Sequence, residues 1–472
     1  MSAKRPNVLF ILTDDQGPWA AGCYGNDEIR TPGIDRIAEA GLRFDQFFCA
    51  SPVCSPSRAT FLTGRLNSQH GVHDWIRDGN TGERATTYLE GEVAYTDVLA
   101  EHGYTCGFSG KWHLGNSKLV QHGFGHWYVH QRGGGDYNEP PMIRDGELIT
   151  ESGYVTNLIT NDAVAFLDRH ARDEQPFYLG VHYTAPHSPW TGHPQDVVDS
   201  YDNCAFDSCP QEPIHPWAVG QGLTESCLGE REMLKGYFAA VTAMDADVWH
   251  LLDRLEALGI RDETLVVFTS DNGFSCGHHG FWGKGNGTWP LNFYENSVRI
   301  PFLMSHPGSI RSGMTAALTS AYDFFPTLLD YLGLPEPEGG ARPGISFAPL
   351  LTPGGDDSGA EAVLADAAPH AEYGGARMVR TADWMYVRRY ADSAPDELYN
   401  LNADPGERTN LADDSGYRSR VDELGNHLES WFDRYAKDAG RDGRRYRVTG
   451  NGQLRPVGGD WEDTGRPPFV RE

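Results

Sequence analysis

Short apolar runs divided by polar turns recur along the chain, and their spacing predicts most of the elements. Residues 7–13 (NVLFILT) and 264–270 (TLVVFTS) are continuous runs of β-branched and large apolar side chains, the pattern of strands buried on both faces. The runs YTCGFSG, PFYLGVHYT and RIPFLMS read as strands in the same way. Between the later runs the spacing changes. Leu234, Tyr237, Val241, Met244, Val248, Leu251, Leu255 and Leu258 recur three and four apart, which predicts a core-facing helix over about 230–258. A second helix, DFFPTLLDYLGL, stops at Gly333 with Pro335 behind it. Strand and helix patterns in alternation predict a doubly wound α/β domain.

Other stretches break the pattern. Residues 192–229 are rich in Pro, Gly and Asp and read as a long loop, a candidate rim for a pocket. Residues 339–359 turn acidic and rich in Gly and Pro, which marks a boundary. Beyond it, ARMVRTADWMYVRRY and DELYNLNADPGERTNL read as hairpin strands with a turn, followed by a helix over about 421–435. The expected organisation is a catalytic domain over 1–358 and a smaller α+β subdomain with an antiparallel sheet over 359–472. At the N-terminus Lys4 and Arg5 precede an apolar run too short for a secretory h-region, and nothing reaches the ~18 apolar residues of a membrane span. Eight cysteines without a CxxC spacing indicate neither a structural zinc nor a disulfide scaffold. The expected location is the cytoplasm.

Charge narrows the partners. A formal net charge of −27 opposes binding to nucleic acid or an anionic membrane, so an anionic substrate must meet a local positive pocket. In open α/β sheets ligands sit beyond the carboxyl ends of the strands, and here those ends carry polar groups. VLFILTDD delivers Asp14 and Asp15, and VVFTSDNG delivers Asp271 and Asn272. GFSGKWHLG delivers Lys111 and His113, GVHYTAPH delivers His187, and HHGFWGKG delivers Lys284. Singly, each has an ordinary reading as a cap, a turn or a satisfied core residue. Together, the oxygen donors suit Ca²⁺ or Mg²⁺ and not zinc, while the cationic groups suit a tetrahedral anion whose charge grows in a transition state.

Cys54 does not fit that picture as a plain thiol, because sulfur is a soft ligand and the site is hard. It opens the stretch CSPSRATFLTGR, where a helix start would place it beside free backbone N–H groups. This stretch resembles the type I sulfatases of the alkaline phosphatase superfamily. Their signature C-x-P-S-R-x-x-x-L-T-G-R is matched by Cys54, Pro56, Ser57, Arg58, Leu62, Thr63, Gly64 and Arg65. The motifs DD, GKWHLG, APHSPW, SDNG, GKG, VRIPFL and ELYNLNADPGERTNL follow in the family's order. The chain departs from it at ENSVRIP, where the family often has a Gly-Gly pair, and in 192–229.

The resemblance implies an alkaline-phosphatase-like sandwich with a large mixed, mostly parallel sheet between helices. It also implies that a maturase oxidises Cys54 to formylglycine, whose hydrate attacks sulfur with one hydroxyl and expels sulfate through the other. Asp14, Asp15, Asp271 and Asn272 would then bind one cation with the modified Cys54. Arg58 would hold the diol and Lys111 the sulfate oxygens. His187 and Lys284 would assist the leaving alcohol, and His113 would take the second hydroxyl's proton. The alternatives are a phosphonate monoester or phosphodiester hydrolase on the same centre, and a non-catalytic protein that binds sulfated glycans. Trp75, Trp190, Trp282 and Trp289 lie near the motifs, where indoles stack on sugars and His73, Asp74 and Asn286 meet hydroxyls. The expected substrate is a sulfated mono- or oligosaccharide.

Overall fold

The computed structural model describes residues 5–354, 368–390, 394–436, 440–446, 448–458 and 468–469. Its framework is a ten-stranded sheet in the order Gly313–Thr315, Leu42–Phe44, Phe302–Ser305, Thr264–Ser270, Asn7–Thr13, Phe177–His182, Thr105–Lys111, His126–His130, Pro141–Arg144 and Glu147–Thr150. The pairings from Thr264–Ser270 across to His126–His130 are all parallel, and antiparallel pairs flank them on both sides. The parallel centre is where continuous apolar runs belong, because both faces are covered. Along Asn7–Thr13, Val8, Phe10 and Leu12 join one core while Leu9 and Ile11 join another. Helices Pro32–Glu39, Val155–His170 and Arg231–Ala257 cover the second face through Ile34, Ile159, Phe166, Val248 and Leu251. Helices Cys54–Thr63, Tyr95–Glu101 and Ala321–Tyr331 cover the first through Phe61, Val98, Phe324 and Leu328. This is the alkaline-phosphatase-like architecture that the resemblance implies.

A second, four-stranded antiparallel sheet runs His370–Tyr373, Ala376–Arg380, Trp384–Arg389 and Glu397–Asn400. Helix Arg418–Tyr435 packs on it, burying Leu424, Leu428 and Phe432 against Val379, Tyr386 and Leu398. The boundary expected near residue 358 lies outside the described residues. The stretch 192–229 is more ordered than a loop: it holds the short helices Gln195–Asp199 and Gly222–Cys227, and Tyr201, Phe206, Cys209 and Cys227 pack with Phe238, Val241 and Trp282. Among the described residues, no helix is long and apolar enough to cross a membrane.

The parallel strands meet the site through a close backbone approach at Gly110. Its φ is 118°, and a Cβ built there would stand 1.9 Å from the carbonyl oxygen of His182, its partner across the ladder. Only glycine suits such a position, which sits one residue before Lys111. Gly110→Ala is therefore expected to push the strands carrying Lys111 and His182 apart, costing about 2 kcal/mol or more. A clear fall in the apparent Tm, together with lost turnover of an aryl sulfate, checks this. Unchanged values of both would show that the backbone yields there freely.

Candidate active site

The ten residues expected to act in catalysis or hold a metal lie together beyond the carboxyl ends of the central strands, contributed by strand ends, a helix start and a loop. Asp14 and Asp15 follow Asn7–Thr13, and Asp271 and Asn272 follow Thr264–Ser270. The two loops are tied by backbone bonds: Asp271 N–H donates to Thr13 O (3.1 Å) and Asp14 N–H to Ala185 O (3.1 Å). Asp15 turns with φ 67°, and its N–H points at Asp271 Oδ1 (3.4 Å). Cys54 is the first residue of its helix, after the extended Val53, so the positive helix end lies beside its sulfur. Pro52 O accepts from Gly285 N–H (3.0 Å), and Asn292 Nδ2 donates to Lys284 O (3.0 Å). These bonds hold the Lys284 loop against the helix start.

Three acids and three cations then balance one another away from water. Arg58 donates through Nε to Asp271 Oδ2 (2.8 Å) and through Nη1 to Lys111 O (2.8 Å). Lys111 Nζ contacts Asp14 Oδ2, and Lys284 Nζ contacts Asp15 Oδ1 (2.5 Å) and Cys54 Sγ (3.0 Å). Burial alone would push the Asp14 carboxyl up, but Lys111, His187, Lys284 and Arg58 outweigh it and hold it below the usual carboxylate range. Asp271, equally buried, is pushed up by desolvation and by the charge of Asp14. Burial raises the Cys54 thiol, which stays protonated. One carboxylate oxygen from each of Asp14, Asp15 and Asp271 lies within 4.8 Å of the others, and Asp14 Oδ1 and Asn272 Oδ1 are buried with no hydrogen-bond partner. A set of hard oxygen donors with unpartnered lone pairs facing inward fits a Ca²⁺ or Mg²⁺ ion.

The two histidines differ in which nitrogen is free. His113, with φ 53°, has Nε2 2.9 Å from Ile76 O. A carbonyl only accepts, so Nε2 carries the proton and Nδ1, buried and without a partner, is the bare base. Burial pushes this ring far below the ordinary histidine range, so it stays neutral. His187 is turned the other way: Nδ1–H donates to Ser188 O (2.7 Å), leaving Nε2 3.8 Å from Asp15 Oδ2. Burial lowers its basicity, whereas Asp14 and Asp15 favour its protonated form.

A cavity of about 520 Å³ opens above these groups, with Cys54, His113, His187 and Lys284 in its wall. Its remaining lining is not what the sequence suggests. Of the four tryptophans, only Trp75 lines it, beside Asn286. Trp190 and Trp282 are buried in the core, and Trp289 packs against the main core. Asp74 is fully buried, accepting from Tyr373 Oη and Gly452 N–H, and His73 lies beneath the surface beside Tyr446. The described lining includes nothing from 192–229, which corrects the expectation that this stretch forms the rim. Instead the mouth is built by Ile76 and Arg77, by Arg132, Gly133 and Gly134, and by Asn286. Gln453 holds the first of these segments: its Oε1 accepts from His73 and Asp74 N–H, and its own N–H donates to Trp75 O. No motif announces Gln453 or Arg132, because tertiary packing alone brings them here.

The chain is similar along most of its length to proteins of one kind. The family model described as Sulfatase matches residues 6–334, and the one described as N-sulphoglucosamine sulphohydrolase, C-terminal, matches residues 277–433. An N-acetylglucosamine-6-O-sulfatase of Bacteroides thetaiotaomicron is 29% identical, with 92% of this chain and 87% of that protein covered. A choline-sulfatase of Rhizobium meliloti is 30% identical, covering 88% and 83%. A solved enzyme in complex with its substrate D-glucosamine-2-N,6-O-disulfate superposes with a TM-score of 0.76 at 27% identity, over 93% of this chain and all of that one. A family match spanning the whole main sheet and every strand-end group described above leaves one assignment: this chain belongs to the type I sulfatases of the alkaline phosphatase superfamily and is a sulfuric ester hydrolase.

Proposed function

We propose that the enzyme hydrolyses sulfate monoesters of a soluble mono- or oligosaccharide, using formylglycine made from Cys54 and one bound Ca²⁺ or Mg²⁺ ion. The observation that carries this reading is Cys54 itself. Its neutral, buried thiol is a poor nucleophile and a poor ligand, yet it stands 3.0 Å from Lys284 Nζ on the floor shared with three carboxylates. Oxidation by a maturase would give position 54 a hydrated aldehyde as nucleophile, and Asp14, Asp15, Asp271 and Asn272 would hold a cation that supplies Lewis acidity. The rest of the chemistry falls to this chain's own side chains. Arg58, locked onto Asp271 and the Lys111 carbonyl, fixes the geometry around position 54. Lys111 offers its ammonium to sulfate oxygens. His113 accepts a proton at Nδ1, the only ring nitrogen it has free, and His187 Nε2, with Lys284, meets the leaving alcohol.

The mouth supports a sugar. Trp75 presents an indole held by a bond from Nε1–H to Gly450 O (2.8 Å), and Asn286 offers an amide beside it. Choline sulfate fits less well, because Arg77 and Arg132 at the same opening would repel a quaternary ammonium. A phosphonate or phosphodiester substrate remains the second reading only through the shared centre, and no feature of the mouth favours it.

Four measurements test this. Mass spectrometry of the tryptic peptide spanning 44–58, from enzyme made with a maturase, is expected to show the aldehyde or its hydrate at position 54; full activity with only thiol there would sink the mechanism. Added Ca²⁺ or Mg²⁺ is expected to raise the apparent Tm, by an amount equivalent to about 2.7 kcal/mol at a hundredfold excess over Kd. Asp271→Asn should blunt that response, and chelation should remove turnover. Across defined sulfated sugars, choline sulfate and aryl sulfates, kcat/KM is expected to be highest for a sugar, and the carbohydrate assignment falls if none exceeds the others. Finally, His187→Ala is expected to slow sugar sulfates at least tenfold more than 4-nitrophenyl sulfate, whose leaving group needs little protonation. Equal losses would remove His187 from the acid role.

A further inference from the structure

Two arginines at the cavity mouth have no place in the chemistry above. Arg77 and Arg132 are exposed and line the opening, 55 positions apart in sequence. Both sit directly beside His113. Ile76, the residue before Arg77, supplies the carbonyl that orients the His113 ring. Gly133, the residue after Arg132, passes so close that a Cβ there would meet that ring at 2.1 Å, while Gly134 runs along the His187 ring. The backbone stretches that carry Arg77 and Arg132 thus both run against the same histidine.

Neither has an acidic partner among the described residues, which is unusual on a chain whose acids exceed its Lys and Arg by 27. Arg84, a few residues beyond Arg77, is neutralised by Asp78 at 2.7 Å, and Arg65 is paired with Glu92. Arg77 instead donates through Nη1 to Asn451 O (3.0 Å) and lies 5.8 Å from the centre of the Trp75 ring. Gly452 packs against the base of the side chain, leaving 2.7 Å between its hypothetical Cβ and Arg77 Cβ, while the charge meets only a carbonyl and a ring. A guanidinium held in this way gives up little side-chain entropy on meeting an anion, and its fork matches the oxygens of a sulfate or carboxylate.

We propose that Arg77 and Arg132 form a second anion subsite, so that the preferred substrate is a sugar carrying another sulfate or a carboxylate besides the sulfate that is cleaved. This rests on the carbohydrate reading and narrows it to polyanionic saccharides. Trp75 stacks on the ring between the two charges, the scissile sulfate points to Cys54, and the second anion stays at the mouth.

The test compares kcat/KM for three hexosamine substrates sharing one scissile 6-O-sulfate: one otherwise uncharged, one with an added N-sulfate, and one linked to a uronic acid. For the unaltered enzyme, one or both of the doubly charged sugars should exceed the singly charged one by tenfold or more, and which of them does so identifies the second anion as sulfate or carboxylate. Arg77→Gln and Arg132→Gln should each reduce that ratio about tenfold, through KM more than kcat, while the lysine replacements keep part of it. The ratio should also fall as salt rises from 20 to 300 mM, a range of concentrations over which screening tightens to within about 10 Å. Equal turnover of singly and doubly charged sugars, or variants that lower all three substrates in proportion, would overturn the subsite and leave the carbohydrate assignment standing. Turnover of 4-nitrophenyl sulfate with none of any sugar would overturn both.

Discussion

Everything at this site depends on gathering three acidic side chains in a space from which water is excluded. Asp14, Asp15 and Asp271 are buried, and desolvation together with the charge of Asp14 pushes the Asp271 carboxyl up to about 7, so the cluster needs counter-charge. Arg58, Lys111 and Lys284 supply it, each reaching in from a different element. A buried ion pair of this kind adds little to stability against an apolar replacement, yet removing one member leaves an uncompensated charge at a cost of ~3–5 kcal/mol. The six groups therefore stand or fall together. The same arrangement that is nearly neutral for folding is poised for catalysis, since any anion or cation that enters redistributes charge among groups already in place.

That demand explains the backbone around the site. Asp15 and His113 both adopt positive φ, an uncommon conformation for residues with a side chain. Each lies just past the end of a parallel strand, where the chain must turn sharply to bring its side chain over the sheet edge. Asp15 is held by its own N–H toward Asp271 and by Tyr237 Oη donating to its carbonyl (2.8 Å), and His113 by Ile76. Local strain persists where surrounding bonds over-determine the conformation, and here those bonds come from three separate stretches of chain.

How much of this was legible in the sequence follows from where the determinants lie. Runs such as NVLFILT and TLVVFTS match strands Asn7–Thr13 and Thr264–Ser270 residue for residue, because a doubly covered strand leaves no room for polar alternation. The helix predicted over 230–258 is Arg231–Ala257. By contrast, His126–His130, Pro141–Arg144 and Glu147–Thr150 went unread, since they lie toward one margin of the sheet, run only four or five residues and carry polar ends in place of a continuous apolar run. At the site, Asp14, Asp271 and Lys111 could be found because strand ends are predictable places for function. Lys284 could be read as a positive charge in the segment after Asp271, and only its role beside the leaving alcohol depended on the family's pattern. Trp190 and Trp282 looked like sugar platforms but proved to be core, because nearness in sequence to a motif does not say which way an indole points. Arg132 and Gln453 gave no signal, as only the packing of distant loops brings them to the mouth.

The separation between floor and mouth has a physical consequence. Groups on the floor belong to strand ends and a helix start, where a change of one ångström would disturb all six charges. Groups at the mouth belong to loops around 75–77, 132–134 and 286, braced by 450–453, and can vary without touching that balance. A net charge of −27 opposes an anionic substrate at long range, but at physiological ionic strength most of that charge is screened beyond about 8 Å. Within that distance the sign of the nearest few side chains decides. At this opening the exposed charged side chains are Arg77 and Arg132, so a strongly acidic protein presents a positive entrance to its substrate.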